Sequence, residues 1–146
     1  MTHILFYSGS NDKLQTACRL CVKAIQKNMK VLIYTPRLTL LNQLDELLWT
    51  FSPTSFIPHC NIVEDDQLAD MTPVILSNQI QISCLFDVLI NLHDQPPNLL
   101  NQFNRLIEIA GTSHEDKLAA RERYRFYKNA GYTIQHYHLN DQSGSH

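Results

Sequence analysis

Glycine is scarce in this chain, with only four in 146 residues. A phosphate-binding loop or a dinucleotide fingerprint needs several closely spaced glycines, because the backbone must curve around the phosphate groups. After the first predicted strand there is only Gly9, and Lys13 is followed by leucine instead of serine or threonine. The sequence also lacks a G-x-S-x-G nucleophile motif and any local acid–base pair. We therefore predict no catalytic residues and no phosphate loop.

Cysteine is also sparse, with four residues and a single C-x-x-C formed by Cys18 and Cys21. No second C-x-x-C is present to complete a zinc site, and the adjacent His59 and Cys60 lack the spacing of a ligand set. The C-x-x-C falls inside an apolar 3-4 repeat, which is typical of the buried face of a helix. We expect packed, reduced thiols, no metal, no cofactor and a cytoplasmic protein.

Long apolar runs and an excess of positive charge are absent as well. No stretch approaches the roughly 18 apolar residues of a membrane-spanning helix, and the first residues are typical of a strand, not of a leader peptide. The net charge is -2. This balance argues against broad binding to duplex phosphate backbones, which usually requires a basic domain. A charged peptide is a better fit than bulk nucleic acid, and no membrane partner is expected.

The pattern of elements predicts an α/β fold. Strands alternating with helices favour a mainly parallel central sheet covered on both faces, a three-layer α/β/α arrangement. We predict one domain over residues 1–139, a flexible polar tail over 140–146 and a solvated acidic loop over 60–72. The predicted strands are 3–7, 31–34, 74–76, 88–92 and 132–137, with an extended piece at 55–58 and the segment 105–109 before the last helix. The predicted helices are 12–28, 38–50 and 115–131, with a short turn at 99–102.

Residues 115–131 carry the strongest helical pattern. Five of the twelve Lys and Arg residues lie between positions 117 and 128. Acidic residues in the first turn and Gly131 as a left-handed stop predict both ends. The side predicted to pack on the sheet contains Ala119, Phe126, Tyr127 and Ala130. The outward stripe contains Lys117, Arg121, Tyr124, Arg125 and Lys128.

This basic stripe has two interpretations. It is either a solvated helix face or a strip that binds an anion. Tyr124 favours recognition, because an exposed ring among guanidinium groups offers apolar contact area beside charge. Arg123 projects toward the packed side, and we predict an internal salt bridge with Glu108 or with an aspartate at a strand end.

A second unusual segment is rich in aromatic residues. Leucines 44, 47 and 48 are spaced to pack helix 38–50 on the sheet, and the only tryptophan, Trp49, follows them. Phe51, Phe56 and Pro58 come within ten residues. The cluster is either core or an exposed binding surface, since aromatic residues on a loop beyond a helix end often mark binding hot spots.

Three motifs together resemble a known family. They are Leu44-Asp-Glu-x-Leu-Trp, Ser55-Phe-x-Pro-His and Ala120-Arg-Glu-Arg-Tyr-Arg-x-Tyr-x-x-Ala-Gly. In this order, over about residues 3 to 138, they resemble the chi subunit of bacterial DNA polymerase III holoenzyme. The resemblance implies a non-catalytic accessory subunit of the clamp-loader complex. It also implies a fold similar to nucleotide-binding domains without a working nucleotide site.

The resemblance further implies two partners. One is the acidic C-terminal tail of single-stranded DNA-binding protein, and the other is the psi subunit or a helicase that uses the same surface. The residues implied for the tail are Lys117, Arg121, Tyr124 and Arg125. The residues implied for the psi or helicase face are Trp49, Phe56 and Pro58.

Two alternatives from other functional classes stay open. One is a degenerate nucleotide-binding protein that uses the strand ends near Ser8, Gly9 and Asn11. The other is direct binding of single-stranded DNA by the basic helix, with Tyr124 stacking on a base.

Overall fold

The computed structural model describes residues 2–50, 59–61, 74–78, 87–97 and 103–139. Ten elements lie in these ranges. The strands are β1 (His3–Ser10), β2 (Val31–Tyr34), β3 (His59–Asn61), β4 (Val74–Ser77), β5 (Val88–Asn91), β6 (Arg105–Gly111) and β7 (Thr133–His138). The helices are α1 (Lys13–Gln26), α2 (Leu38–Thr50) and α3 (His114–Asn129). The predicted extended piece at 55–58, the turn at 99–102, most of the acidic loop and the tail at 140–146 lie outside the described residues. The loop prediction was wrong for residues 60 and 61, which belong to β3 and pair with β4.

The seven strands form one sheet in the order β3-β4-β2-β5-β6-β1-β7, and every pairing among them is parallel. The central strands β2, β4 and β5 are short and almost entirely buried. Burial on both faces explains why their sequences are continuously apolar instead of alternating. The predicted mainly parallel α/β sheet is confirmed.

Helices cover the sheet on both faces. Helices α1 and α2 share one apolar core with alternate residues of the strands, among them Ile33, Leu76 and Ile109. Helix α3 packs on the other face, where Ile4, Leu89 and other strand residues form a second core. The three-layer arrangement is therefore confirmed. Successive residues of a strand belong to different cores, because their side chains point to opposite faces of the sheet.

Helix α1 lies within the predicted range 12–28, and its C-x-x-C is buried as the sequence predicts. The Asp12 side chain caps it by accepting hydrogen bonds from the backbone N–H groups of Leu14 and Gln15. Cys18 and Cys21 are free thiols and fully buried. Burial raises the pKa of Cys18 to about 12 and also raises the pKa of Cys21. Both thiols therefore remain protonated and pack as small apolar side chains.

Helix α3 begins where expected, after the N-cap Ser113, whose hydroxyl accepts a hydrogen bond from the backbone N–H of Asp116. Gly131 follows the helix with a φ of 88°. The predicted packed face was wrong in part: the buried residues are Ala120, Arg123 and Tyr127. Ala119 is half-buried, Ala130 is exposed and Phe126 is 50% exposed. The helix is turned so that charged Arg123, not Phe126, enters the interior.

Candidate functional site

A surface hollow of about 510 Å³ lies between α3, the carboxyl end of β1 and the edge strand β7. We call it the edge hollow. The carboxyl ends of parallel strands lie at the same end of a sheet, and ligands of α/β proteins commonly bind beside them. The lining residues used below are Phe6, Ser8, Gly9, Lys117, Arg121, Tyr124, His136 and His138.

The floor of the edge hollow is aromatic. Phe6 is 3% exposed and projects from β1 toward α3. The Tyr124 and Phe6 rings form a T-shaped contact with centroids 5.7 Å apart, and the centroid of the His136 ring lies 6.5 Å from that of Phe6. Tyr124 itself keeps 37% of its surface exposed. An apolar side chain of a ligand can therefore contact ring surface here without entering the core.

The rim of the edge hollow is cationic. Lys117 and Arg121 lie on successive turns of α3 and are exposed. Within the described ranges neither forms a salt bridge with a carboxylate, and no Asp or Glu lines the hollow. Their charge is therefore available to an incoming anion. The arginine fork suits bidentate contact with a carboxylate.

Arg125 is the one predicted tail residue that does not line the edge hollow. Its guanidinium lies 3.5 Å from the Glu122 carboxylate, and both side chains are largely exposed. At 100° per residue, position 125 lies farther from the buried side of α3 than positions 117, 121 and 124. The structure thus brings together three of the four predicted residues.

Sequence reasoning missed the contributions of β1 and β7 to this site. β7 pairs with β1 in a register that places Phe6 opposite His136 and Ser8 opposite His138. The alternation of histidines at 136 and 138 predicts that they share a face of a strand. The sequence did not indicate that this face would lie beside α3.

Gly9 shapes the wall of the edge hollow. Its φ is 79°, at an irregularity in the pairing of β1 with β6. A Cβ atom at this position would lie 2.9 Å from the carbonyl oxygen of Leu139. Leu139 is held in place by its own backbone N–H, which donates to the carbonyl of Ser8.

We expect Gly9→Ala to lower the free energy of unfolding by about 1–2 kcal/mol, because alanine is strained at positive φ and meets a fixed carbonyl. Gly131→Ala is the matched control, since Gly131 also has positive φ but a Cβ atom there would meet no described atom within 4 Å. Urea denaturation followed by circular dichroism measures both. Equal losses in the two variants would show that the contact with Leu139 has no effect.

A buried polar network fixes α3 to the sheet. The Glu108 carboxylate, 0% exposed, accepts hydrogen bonds from Arg123 Nε at 2.8 Å, from Asn91 Nδ2 at 2.9 Å and from the Tyr127 hydroxyl. A guanidinium N–H of Arg123 also donates to the Asp94 carbonyl oxygen at 3.1 Å. The predicted salt bridge between Arg123 and Glu108 is therefore confirmed.

Burial dominates the ionisation of this network. Loss of water contact raises the pKa of Glu108, while the charge of Arg123 opposes that rise. Burial also raises the pKa of Tyr127, so its hydroxyl keeps the proton that it donates. Because Arg123 and Tyr127 are both in α3, the network fixes the rotation of the helix. That rotation brings Lys117, Arg121 and Tyr124 to the edge hollow.

A cleft at the carboxyl end of the sheet occupies the place where α/β proteins with a phosphate loop hold a nucleotide. Lys13 Nζ lies 3.7 Å from Asp116 Oδ2, and Asp12 also lines the cleft. Burial lowers the pKa of Lys13, and the Asp116 carboxylate opposes this shift. Two carboxylates at this point disfavour a phosphate group.

We expect ATP, GTP and NAD to leave the melting temperature unchanged in a thermal-shift assay. A genuine nucleotide site would add about 2.7 kcal/mol of stability at 100 times Kd. Inorganic salt at equal ionic strength is the control. A reproducible rise with one nucleotide would contradict this expectation and support the degenerate nucleotide-binding alternative.

The residues predicted for a psi or helicase face are only partly described. Trp49 lies in α2, but its side-chain environment is outside the described residues, as are Phe56 and Pro58. Leu44 and Leu48 are buried, as predicted, and the half-buried Leu47 packs against the same core.

In the described ranges no helix has the length and apolarity needed to cross a membrane, and no three potential metal ligands cluster together.

The fold and the site define the class of this protein: a parallel, nucleotide-binding-like α/β fold without a phosphate loop, carrying a cationic hollow beside its edge strand. Residues 1–135 match the family described as DNA polymerase III chi subunit, HolC. The chain therefore belongs to the chi subunit family, whose members are accessory subunits of the polymerase that replicates bacterial DNA.

Curated relatives span almost the whole chain. The chi subunit of Pseudomonas aeruginosa is 34% identical over 143 residues, which cover 95% of this chain and 98% of the relative. The chi subunit of Haemophilus influenzae is 29% identical over 124 residues, and the match covers 82% of this chain and 83% of the relative. The chi subunit of Escherichia coli is 26% identical, with 92% of this chain and 96% of the relative covered.

Solved structures with similar folds are distant in sequence. S. cerevisiae Dbp5 bound to RNA and ADP BeF3 matches with a TM-score of 0.62 and 12% identity, over 99% of this chain and 43% of that chain. The C-terminal domain of an S. cerevisiae Dbp5 variant, bound to a Gle1 variant and IP6, matches with a TM-score of 0.64 and 9% identity. The match covers 99% of this chain and 94% of that chain. At these identities the likeness concerns the fold alone.

Proposed function

We propose that this protein is a non-catalytic adaptor of the DNA polymerase III clamp-loader complex. It binds the acidic C-terminal tail of single-stranded DNA-binding protein in the edge hollow. It binds the psi subunit, or a helicase partner, through a separate face that includes Trp49, Phe56 and Pro58. The observation that carries the proposal is an aromatic floor beneath Lys117 and Arg121, whose charges have no carboxylate partner in the described ranges.

The chemistry of the edge hollow matches a peptide that ends in acidic residues, phenylalanine and a free carboxylate. Arg121 offers two parallel hydrogen bonds to a carboxylate, and Lys117 adds a second positive charge. The exposed part of the Tyr124 ring, backed by the buried Phe6 ring, offers an aromatic surface for the phenylalanine ring. Arg125 extends the positive field outside the hollow.

The proposal of a separate psi or helicase face is supported by family membership and by the position of Trp49 near the end of α2. Helix α2 covers the opposite face of the sheet from α3. Two partners on opposite faces can bind simultaneously, as an adaptor requires. In pull-downs, Trp49→Ala should lose psi and keep the tail, and Arg121→Ala should do the reverse.

The central experiment is titration calorimetry with an N-acetylated acidic peptide ending in phenylalanine. We expect saturable binding that weakens several-fold when salt rises from about 0.05 M to about 0.5 M, because exposed charges are screened. The same peptide with an amidated C-terminus should bind more weakly, since it lacks the terminal charge. A single-stranded oligonucleotide should bind weakly, given the net charge of -2.

Lack of peptide binding at low salt would refute the tail proposal. Tight binding of the oligonucleotide in the absence of any partner protein would instead support the direct DNA-binding alternative. The two outcomes are distinguishable because peptide and oligonucleotide are titrated into the same sample.

A further inference from the structure

Two histidines face the edge hollow from β7. His136 and His138 are exposed and lie two residues apart on the same face of the strand. Ser8 Oγ lies 2.8 Å from Nε2 of His136 and 3.2 Å from Nδ1 of His138. One hydroxyl on the neighbouring strand therefore orients both rings.

This shared contact is compatible with protonation of both rings. A serine hydroxyl has two acceptor positions, so Ser8 can accept one N–H from each imidazolium while turning its own hydrogen elsewhere. The second ring nitrogen of each histidine is then a donor as well. Each imidazolium can thus keep its contact with Ser8 and donate to a ligand.

The charges around the two rings come from α3. Lys117 and Arg121 are the charged residues of that helix in the lining, which also contains Tyr124. From β1 the hollow is lined by Phe6, Ser8 and Gly9, and from β6 and the turn after it by residues 110–112, none of which ionises. No carboxylate is present among the described residues of the lining.

The position of the two rings links their protonation to a bound anion. The rings line the same hollow as Lys117 and Arg121, so a polyanion bound there lies within reach of the imidazole nitrogens. An anion beside an imidazole ring favours the protonated form of that ring. Linkage is reciprocal: if the bound anion favours protonation of the histidines, the affinity for the anion rises as the pH falls.

We infer that His136 and His138 belong to the binding site and contact the carboxylates of an acidic peptide as imidazolium groups, so that the peptide binds together with protons. The inference rests on the proposed function and specifies how the same site responds to pH. Histidine is the residue type that changes charge between pH 5 and 8. The peptide carboxylates stay ionised over that range.

The test is calorimetry with the N-acetylated acidic peptide at about pH 8 and about pH 6, in pairs of buffers with different ionisation enthalpies. We expect roughly threefold to tenfold tighter binding at the lower pH, the effect of two additional exposed ion pairs. We also expect net proton uptake on binding at the lower pH, seen as a binding enthalpy that depends on the buffer.

Paired substitutions assign the effect to residues. The variant with His136→Asn and His138→Asn keeps polar groups beside Ser8 but cannot take up protons, so its affinity and enthalpy should lose most of the pH and buffer dependence. Each single variant should lose part of it. His3→Asn is the matched control, because His3 is exposed at the opposite end of β1 and should retain the full dependence.

The outcomes separate this inference from the proposed function. Peptide binding of equal strength at both pH values, or proton uptake that persists in the double variant, overturns the role of the histidines and leaves the tail site standing. If the peptide binds at neither pH, the role of the histidines and the proposed tail site are both overturned.

Discussion

Replacing Glu108 with leucine is expected to lower the free energy of unfolding by about 3–5 kcal/mol. The substitution removes the carboxylate but leaves the Arg123 guanidinium, which is 2% exposed, without its charge partner. The hydroxyl of Tyr127 and the amide of Asn91 lose an acceptor at the same time. Urea denaturation followed by circular dichroism measures the loss.

A double variant tests whether the unpaired charge is the cause. Combining Glu108→Leu with Arg123→Met should recover much of the stability, because a buried ion pair can be replaced by apolar side chains of similar volume at little cost. The double-mutant cycle then yields a large interaction energy.

The exposed ion pair of Glu122 and Arg125 on the same helix is the matched control. Glu122→Ala should change stability by no more than about 1 kcal/mol. If Glu108→Leu cost no more than this exposed substitution, the buried network would not be the feature that fixes α3.

Replacing Arg121 with alanine is expected to weaken binding of the acidic peptide by about 1.5–3 kcal/mol, roughly tenfold to 150-fold. Arg121 lines the edge hollow with no carboxylate partner in the described ranges, so the substitution removes a charged hydrogen-bond donor and creates no new one. Titration calorimetry at low salt measures the change. Arg121→Lys should lie between wild type and Arg121→Ala, because lysine keeps the charge and loses the bidentate geometry.

Arg125→Ala is the matched control for charge. It removes the same positive charge from the same helix one turn away, but Arg125 lies outside the hollow and beside Glu122. We expect a loss of no more than about threefold. Equal losses in the two alanine variants would show that the peptide responds to the general field of α3, not to the edge hollow.

The sequence predicted most of the elements because they have strong local signals, but it did not predict the strand His59–Asn61. The apolar runs at 31–34 and 88–92 indicate strands buried on both faces, and the acidic first turn and Gly131 predicted the ends of α3. The internal pairing of Arg123 followed from its place on the inner side of the helix pattern. These predictions depend on residues that are neighbours along the chain.

The face of α3 was harder to predict. Helical periodicity placed both Phe126 and Arg123 on the packed side, whereas the structure buries Arg123 and leaves Phe126 half exposed. Glu108 explains this difference. Its carboxylate is fully buried in β6 and is stabilised by a cation beside it, which an apolar ring cannot supply. The pairing of Arg123 with Glu108 was predicted, but Glu108 lies 15 positions away, so the helical pattern did not indicate that Arg123 would be buried and Phe126 exposed.

By itself, the sequence determined that this is an α/β protein without a phosphate loop and that a basic, aromatic stripe lies on its last helix, because periodicity and glycine content are local properties. Only the tertiary structure decided that Lys117, Arg121 and Tyr124 share a hollow with Phe6, Ser8 and two histidines. The physical reason is the parallel pairing of β7 with β1, which places His136 and His138 beside residues about 130 positions earlier in the chain.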